Sequence, residues 1–345
     1  MFNESTTKTK AGHTTLEVKV SQNNINKVLF IAGTGRSGST LLDMLLGQID
    51  GFCSTGELRF IWDRGFQQNQ LCGCGKPFRK CEFWIDVVQE AFGGFQNIDP
   101  QRLSGLRKPA EQAHRLSIWS SFRDSADLLA PYQEYFDAYR ILYQAICKVS
   151  GCEIIIDSSK YIAHGFNLAS IPGIDLFTVH LARDSRAVAY SWRRKKVRPE
   201  IYWEQQFMSQ RGFLKSIGRW NRFNLLAHKL QDVSKGYTFL RYEDLVANPK
   251  DKLSRILSDL EVETTSLDFL DGSRANVKTS HTVSGNPMRF ERKDAGRQSK
   301  RARLGNQRLQ HGVMTAVHAI EVSDGEPHGA APQLDGPVRD LHQRV

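Results

Sequence analysis

Residues Val28–Gln48, VLFIAGTGRSGSTLLDMLLGQ, decide the fold of this chain. They begin with five mostly apolar residues, which predict a buried parallel strand. A loop with three glycines follows, and an apolar-periodic helix opens at Ser39 and Thr40. Glycines let the backbone approach a ligand, and the N–H groups at a helix N-terminus favour negative charge. We therefore expect a phosphate-like anion to bind here.

The loop lacks the lysine of nucleotide-hydrolysing P-loops. Those loops read G-x-x-x-x-G-K-[ST], with the lysine on the terminal phosphates and the hydroxyl on Mg²⁺. Here Ser39 stands at the lysine position, and the loop's cation is Arg36. A planar guanidinium suits bidentate contact with an anion and needs no metal. The alternative is an ordinary β-loop-α turn, which the specific RSGST cluster disfavours.

The segment FIAGTGRSGSTLL resembles the 5′-phosphosulfate-binding loop of sulfotransferases that use 3′-phosphoadenosine 5′-phosphosulfate (PAPS). The resemblance is to the bacterial and Golgi-type branch, which includes tyrosylprotein and carbohydrate sulfotransferases and carries R-S-G-[ST]-[ST]. It implies a P-loop-like three-layer α/β/α fold with a central parallel sheet and a helical substrate-binding insertion. It also implies PAPS as the cofactor, adenosine 3′,5′-bisphosphate as the product, no metal, and a cofactor loop formed by Gly35, Arg36, Ser37, Gly38, Ser39 and Thr40.

A second anion site is predicted after the apolar strand Asp175–Leu181. Arg183 and Ser191, spaced R-x7-S, resemble the family's 3′-phosphate site. Arg183 leaves the carboxyl end of a strand, which is where ligands of open α/β sheets bind. We expect Lys195, in the basic run after Ser191, to share in cofactor capture. The alternative is a surface helix with solvated charges.

Two later motifs are assigned to the cofactor by the resemblance alone. Tyr242, in RYEDL, matches a tyrosine that lies near the cofactor. The segment SGNPMR resembles a late loop that closes over the 3′-phosphate and adenine. The resemblance thus adds four further binding residues, Ser284, Gly285, Asn286 and Arg289.

Glu57 and Lys160 are the candidates for catalysis beside Arg36. Glu57, in STGELRF, matches the glutamate that takes the acceptor proton in tyrosylprotein sulfotransferases, and we expect partial burial to raise its pKa towards neutrality. Lys160, in IIIDSSK, resembles a lysine that contacts the sulfuryl group. The alternatives are a loop carboxylate paired with Arg59, a surface lysine and, under the P-loop interpretation, Asp157 as a metal ligand.

Three cysteines cluster in CGCGKPFRKC: Cys72, Cys74 and Cys81. A structural zinc site needs four ligands, usually as separated pairs, and only three sulfurs lie here. Many bacterial members of the family carry a similar segment. We favour a structural thiol or disulfide loop over a metal site or incidental thiols, and predict no metal.

The formal net charge is +10, which suits an anionic partner such as a nucleotide, a nucleic acid, a membrane face or an acidic glycan. No nucleic-acid motif is present. No apolar run approaches the roughly 20 residues of a membrane span, and the polar N-terminus lacks a signal peptide, so a cytoplasmic location is expected. The expected partner is a small-molecule, glycan, lipid or peptide acceptor, and a homodimer is left open.

The chain is predicted to hold one sulfotransferase domain, residues 27–290, between disordered tails at 1–26 and 291–345. The aromatic, helical segment 61–150, with the cysteine loop, is the expected substrate region. Its rings suit stacking on a sugar or lipid, although such a helix face is more often core. The competing functions are a degenerate P-loop kinase or NTPase and a non-catalytic nucleotide- or glycan-binding protein.

Overall fold

The central sheet in the computed structural model has five parallel strands. They are Asn26–Gly33 (β1), Phe52–Gly56 (β2), Ile154–Lys160 (β3), Ile174–Ala182 (β4) and Gly236–Arg241 (β5). In the sheet they lie in the order β2-β3-β1-β4-β5, and each neighbouring pair is parallel. Helices flank the sheet, so the predicted α/β fold with a central parallel sheet is confirmed.

The structure describes residues 26–120, 129–262, 266–271, 274–290 and 300–303. The chain divides into two units, residues 1–302 and 303–345, and the described residues lie in the first unit except for Arg303. Both tails that the sequence predicts to be disordered lie outside the described residues, apart from Asn26 and the strand at 300–303.

The α-helices of the described part are Ser39–Leu46 (α1), Glu82–Phe92 (α2), Pro100–Ser120 (α3), Gln133–Ser150 (α4), Ile162–Ala169 (α5), Ser185–Arg193 (α6), Phe213–Ala227 (α7), Tyr242–Ala247 (α8) and Pro249–Asp259 (α9). A π-helical segment spans Ile61–Gln67. Short strands follow at Leu270–Asp271 (β6), Arg274–Val277 (β7) and Lys300–Arg303 (β8), with β6 and β7 antiparallel. None of the helices in these ranges has the length and apolar character needed to cross a membrane.

The strand order brings β1 and β4 side by side. From β1 the chain goes to β2 at one edge of the sheet, and from β4 it goes to β5 at the other edge. The two strands pair along their length, from Asn26 opposite Ile174 to Gly33 opposite Leu181. Ligands of open α/β sheets bind outside the carboxyl ends of the strands at such a reversal. The loops that follow β1 and β4 therefore share the expected ligand position.

The aromatic segment between residues 61 and 150 supplies much of the hydrophobic core. Its largest rings are less than 2% exposed: Trp62, Trp84, Tyr135, Tyr139 and Tyr143. The three tyrosines lie on one face of α4, as their spacing predicts. Of the two roles that the sequence allows for these rings, core packing is therefore the one observed.

A buried carboxyl group joins α1 to the sheet. Asp43, on α1, accepts hydrogen bonds from Ser54 Oγ at 2.6 Å and from Ser158 Oγ at 2.8 Å. Burial raises the pKa of Asp43 to about 6, although the two hydroxyls oppose the rise. The helix after the glycine loop is thus held to β2 and β3 through a group whose charged form is disfavoured.

We predict that Asp43→Asn becomes more stable relative to the wild type as the pH rises from about 4 to about 7. A carboxyl whose folded pKa is raised favours folding at low pH, and this advantage is lost between the unfolded pKa of about 3.9 and the folded pKa of about 6. The asparagine variant has no such loss. Urea unfolding at pH 4 and at pH 7 should show a relative gain of about 2 kcal/mol.

Asp50→Asn is the control for removing a carboxylate, because Asp50 is exposed just beyond α1. A stability difference between Asp43→Asn and the wild type that stays constant with pH would contradict the prediction.

Candidate functional site

The loop between β1 and α1 depends on residues in the left-handed backbone region. Gly33 has φ +140°, Gly38 has φ +98°, and Arg36 has φ +76°. A Cβ on Gly33 would stand 2.4 Å from the backbone oxygen of Leu181, so glycine allows β1 and β4 to approach here. Gly38 is the N-cap of α1 and has no side chain to bond the first N–H groups of the helix. Those groups are suited to an anion.

Two aromatic rings cover the glycines of this loop. Trp192, on α6, donates from Nε1 to the backbone oxygen of Gly35 at 3.2 Å. A Cβ on Gly38 would lie 2.3 Å from the ring of Tyr242, the first residue of α8. Tyr242 therefore contacts the glycine loop. Trp192 was not among the residues predicted from the sequence, although it directly follows the predicted Ser191.

The side chains of Arg36 and Arg183 lie at the same edge of the sheet. Arg183 Nη1 donates to the backbone oxygen of Arg36 at 3.3 Å, and its Cζ lies 4.4 Å from the centre of the Tyr242 ring. Arg36 Nη2 lies 3.2 Å from Met208 Sδ, a weak acceptor. Arg36 Nε and Nη1 and Arg183 Nε are buried and have no hydrogen-bond partner among the described residues. Buried donors without partners cost free energy, which a bound anion would offset.

Arg211, which was not predicted from the sequence, lies beside Arg36. Its Cζ lies 4.0 Å from the Trp192 ring centre, and that of Arg36 lies 5.1 Å from the same ring. Burial lowers the pKa of Arg36; the carboxylate of Glu57 opposes this shift, and the charge of Arg211 adds to it. Arginine stays charged in proteins, so the loop faces an excess of positive charge.

Glu57 and Lys160 form an ion pair between the ends of β2 and β3. Lys160 Nζ donates to Glu57 Oε1 at 2.6 Å, and the two side chains are 11% and 13% exposed. Lys160 has φ +69°, which is uncommon for a residue other than glycine, and its Nζ also donates to Ser158 O at 2.8 Å. Arg59 instead pairs with Glu111 at 2.5 Å. The alternatives of a surface lysine and of a Glu57–Arg59 pair are therefore not observed.

The pKa of Glu57 moves in the direction opposite to the one expected. Burial by itself raises it, but the charges of Lys160 and Arg64 outweigh burial, so the pKa lies below the ordinary value of a glutamate. The expectation of a pKa near neutrality was wrong because it counted burial without the two cations. While Lys160 stays in place, Glu57 is therefore a weak base.

The predicted late loop reaches both Glu57 and the glycine loop. Ser284 Oγ lies 3.5 Å from Glu57 Oε2 and accepts a hydrogen bond from Arg64 Nη1. Asn286 N donates to Thr40 Oγ1 at 3.2 Å. Arg64 was missed in the sequence, because it lies within a helical segment that carries no recognisable motif.

Arg289 holds the late loop in shape. Its Nη1 donates to the backbone oxygens of Thr282 at 2.8 Å and Ser284 at 2.7 Å, and its side chain is buried. Burial lowers the pKa of Arg289 to about 10. Gly285, with φ +129°, lies next to Thr40. These hydrogen bonds of Arg289 stabilise the conformation of the late loop. Contacts of Arg289 and Gly285 with the cofactor stay predictions.

Lys195 and Ser191 are the two remaining residues of the predicted cofactor site. Lys195 is exposed, and its Nζ lies 4.0 Å from the centre of the Phe207 ring. Ser191 is half-buried on α6. Their roles at a 3′-phosphate stay predictions.

Asp157 is enclosed by hydrogen bonds in the core. Its Oδ2 accepts from the hydroxyl of Tyr143 at 2.6 Å and lies 3.1 Å from His164 Nε2, while its Oδ1 accepts from the backbone N–H of Ser159 at 2.9 Å. Both carboxylate oxygens are therefore engaged inside the core. This arrangement disfavours the alternative in which Asp157 binds Mg²⁺.

We predict that Gly38→Ala destabilises the chain more than Gly51→Ala. Both glycines have positive φ, +98° and +81°, so both substitutions carry a backbone cost of about 1–2 kcal/mol. Only at Gly38 does the new Cβ also meet a ring, since nothing lies within 4 Å of the Cβ position at Gly51. Urea unfolding should show at least about 1 kcal/mol of additional loss for Gly38→Ala. Equal losses would contradict the contact with Tyr242.

Comparisons with known proteins identify similar solved structures, whereas no protein-family model and no curated protein match the chain. The sulfotransferase domain from the curacin biosynthetic pathway has a TM-score of 0.42 and 19% identity over 71% of this chain and 77% of that one. The sulfotransferase domain of the Synechococcus PCC 7002 olefin synthase has a TM-score of 0.36 and 19% identity over 72% and 77%. Sulfotransferase STF1 from Mycobacterium tuberculosis H37Rv has a TM-score of 0.36 and 14% identity over 71% and 73%. At this distance the similarity assigns no reaction to the chain.

Proposed function

We propose that the chain transfers a sulfuryl group from PAPS to a hydroxyl or amine of an acceptor without a metal ion. The observation that carries this proposal is the set of buried N–H groups on Arg36 and Arg183 that have no partner among the described residues. They lie where the carboxyl ends of β1 and β4 meet, beside the N-terminus of α1. Fixed, desolvated donors of this kind suit an anionic ligand.

A donor with two anionic groups fits the distribution of charge. The glycine loop and Arg36 would hold the phosphosulfate, while Arg183, with Ser191 and Lys195, would hold the 3′-phosphate. Tyr242 and the late loop, residues 284–289, complete the cofactor site. Because several guanidiniums share this region, two phosphate-type groups neutralise it better than one.

The residues that would hold Mg²⁺ in a P-loop enzyme have other partners. Thr40 stands at the position whose hydroxyl binds Mg²⁺, and its hydroxyl oxygen accepts from Asn286 N. The lysine that contacts the phosphates in such a loop is replaced by Ser39. Both oxygens of Asp157 are engaged in the core. A sulfuryl group carries less negative charge than a phosphoryl group, so arginine and lysine are sufficient to stabilise the transition state.

Transfer forms a bond between the acceptor atom and sulfur while the bond from sulfur to the 5′-phosphate oxygen breaks. Glu57 takes the proton of the acceptor, and Arg36 and Lys160 stabilise the charge on the leaving phosphate. The ion pair with Lys160 helps to lower the pKa of Glu57. If Lys160 paired with the bound donor, Glu57 would lose one of the cations that lower its pKa and would become a stronger base.

We predict that adenosine 3′,5′-bisphosphate binds equally well with Mg²⁺ and with EDTA added just before a calorimetric titration. Arg36→Ala should weaken binding about 10- to 100-fold, because a hydrogen bond to a charged group contributes about 1.5–3 kcal/mol. Arg193→Ala is the matched control, since it removes an exposed charge at the end of α6, and it should change affinity much less. Binding of ATP that requires Mg²⁺, without affinity for the bisphosphate, would instead indicate a P-loop kinase or NTPase.

We predict that Glu57→Gln keeps affinity for the bisphosphate but lowers turnover about 10²- to 10⁴-fold, because it removes the base and preserves the shape. Transfer of labelled sulfate from PAPS to a panel of phenol, sugar, lipid and amine acceptors measures turnover. Glu111→Gln is the control, since it also breaks a buried ion pair. Full turnover by Glu57→Gln would refute the base assignment, and bisphosphate binding without transfer by the wild type would support the non-catalytic alternative.

A further inference from the structure

Cys72, Cys74, Cys81 and His281 converge on one point, outside the site described above. One ligand atom of each lies within 4.8 Å of the others. Cys74 Sγ and Cys81 Sγ are 3.7 Å apart, and His281 Nδ1 lies 3.2 Å from Cys81 Sγ and 3.9 Å from Cys72 Sγ. Four ligand atoms therefore surround a space the size of one ion. The three cysteines were recognised as a cluster in the sequence. His281 was not, because it lies 200 residues after Cys81.

Three of the six separations lie close to the edges of a zinc tetrahedron. With Zn–S bonds of about 2.3 Å and a Zn–N bond of about 2.0 Å, the sulfur–sulfur edges are about 3.8 Å and the sulfur–nitrogen edges about 3.5 Å. The observed separations of 3.7, 3.9 and 3.2 Å lie around these values. All six cysteines lie among the described residues, and none of them is in a disulfide. The cluster has the composition Cys₃His, which is a common structural zinc set.

The backbone holds each sulfur in place before any ion binds. Cys72 N donates to Lys76 O at 2.8 Å, and Gly75 N donates to Cys72 O at 2.8 Å, so the segment from 72 to 76 forms a tight turn. Gly75 has φ +87° within that turn. Cys81 is the N-cap residue of α2, where the helix dipole favours a thiolate.

Two residues of α2, the helix whose N-cap is Cys81, hold His281 in position. Its ring stacks on Phe83, with centroids 4.9 Å apart and an interplanar angle of 19°. Trp84 Nε1 donates to the backbone oxygen of His281 at 3.0 Å. The ligand set is therefore assembled from two distant parts of the chain with little freedom left to lose on binding.

We propose that Cys72, Cys74, Cys81 and His281 bind a Zn²⁺ ion that has a structural role. Four protein ligands close the tetrahedron and leave no position for a substrate, which distinguishes structural from catalytic zinc. The site goes beyond the sulfuryl transfer proposed above and does not depend on it.

The zinc ion fastens the late loop to the sheet. Directly after His281, Thr282 O accepts from Gly73 N at 3.0 Å. Val283 N donates to Thr55 O at 2.8 Å, and Val283 O accepts from Glu57 N at 2.7 Å. The ion thus joins the cysteine turn to the segment that contacts Glu57, and metal binding stabilises the fold there.

The full chain, purified from zinc-supplemented medium without chelators, should contain about one zinc ion per molecule by inductively coupled plasma mass spectrometry. X-ray absorption at the zinc edge should give three sulfur neighbours at about 2.3 Å and one nitrogen at about 2.0 Å. Protein without zinc that also fails to take up added Zn²⁺, or a shell of oxygen and nitrogen alone, would overturn the proposal.

Cys81→Ser and His281→Ala each remove one ligand and should weaken zinc binding at least about tenfold in competition with a chromophoric chelator. Cys147→Ser removes a half-buried thiol outside the cluster and should leave zinc affinity unchanged. Unchanged affinity in His281→Ala would overturn the ligand set.

Cobalt titration of the wild-type chain keeps the proposal testable if a ligand variant does not fold. Tetrahedral Co²⁺ with three thiolates should give strong visible bands and a thiolate-to-metal band in the near ultraviolet. A faint octahedral spectrum without that band would overturn the proposal. All of these measurements are made without PAPS, so they stand or fail separately from the proposed function.

Discussion

The pairing of β1 with β4 is the constraint on which the candidate site depends. The two strands are in register up to Gly33, where the backbone oxygen of Leu181 leaves no room for a Cβ. Because both strands end at the same level, the loops that follow them begin together, and Arg183 reaches the backbone of Arg36. The candidate site is thereby built from two segments that are distant in sequence, and Trp192 and Tyr242 pack against its glycines.

The cations around Glu57 determine the direction in which its pKa is shifted. The loop faces more guanidinium charge than the nearby carboxylates neutralise, and Glu57 is shared between Lys160 and Arg64. In the absence of an external anion, Glu57 is the counter-ion of the site as well as its candidate base. In the reaction proposed above, an anionic donor would take over the first role, and the pKa of Glu57 would then rise.

Local patterns made part of this arrangement predictable. β1 and β4 are short apolar runs with polar ends, and the rule for parallel sheets then places Arg36 and Arg183 at one edge. Arg211 and His281 were not predictable, because they contact the clusters across long stretches of chain and carry no local motif. The pKa shift of Glu57 was predicted in the wrong direction, because that direction depends on cations whose positions only the tertiary structure gives.

The contact between the late loop and Glu57 has a consequence for synthesis of the protein. Ser284 follows Glu57 by 227 residues, whereas the glycine loop and Arg183 are both translated well before the late loop. At about 5–20 residues per second, the ribosome takes roughly 5–20 s to travel from Arg183 to Ser284. A nascent chain therefore passes through a stage in which Arg36 and Arg183 have been made while the surroundings of the Glu57 carboxylate are still unfinished.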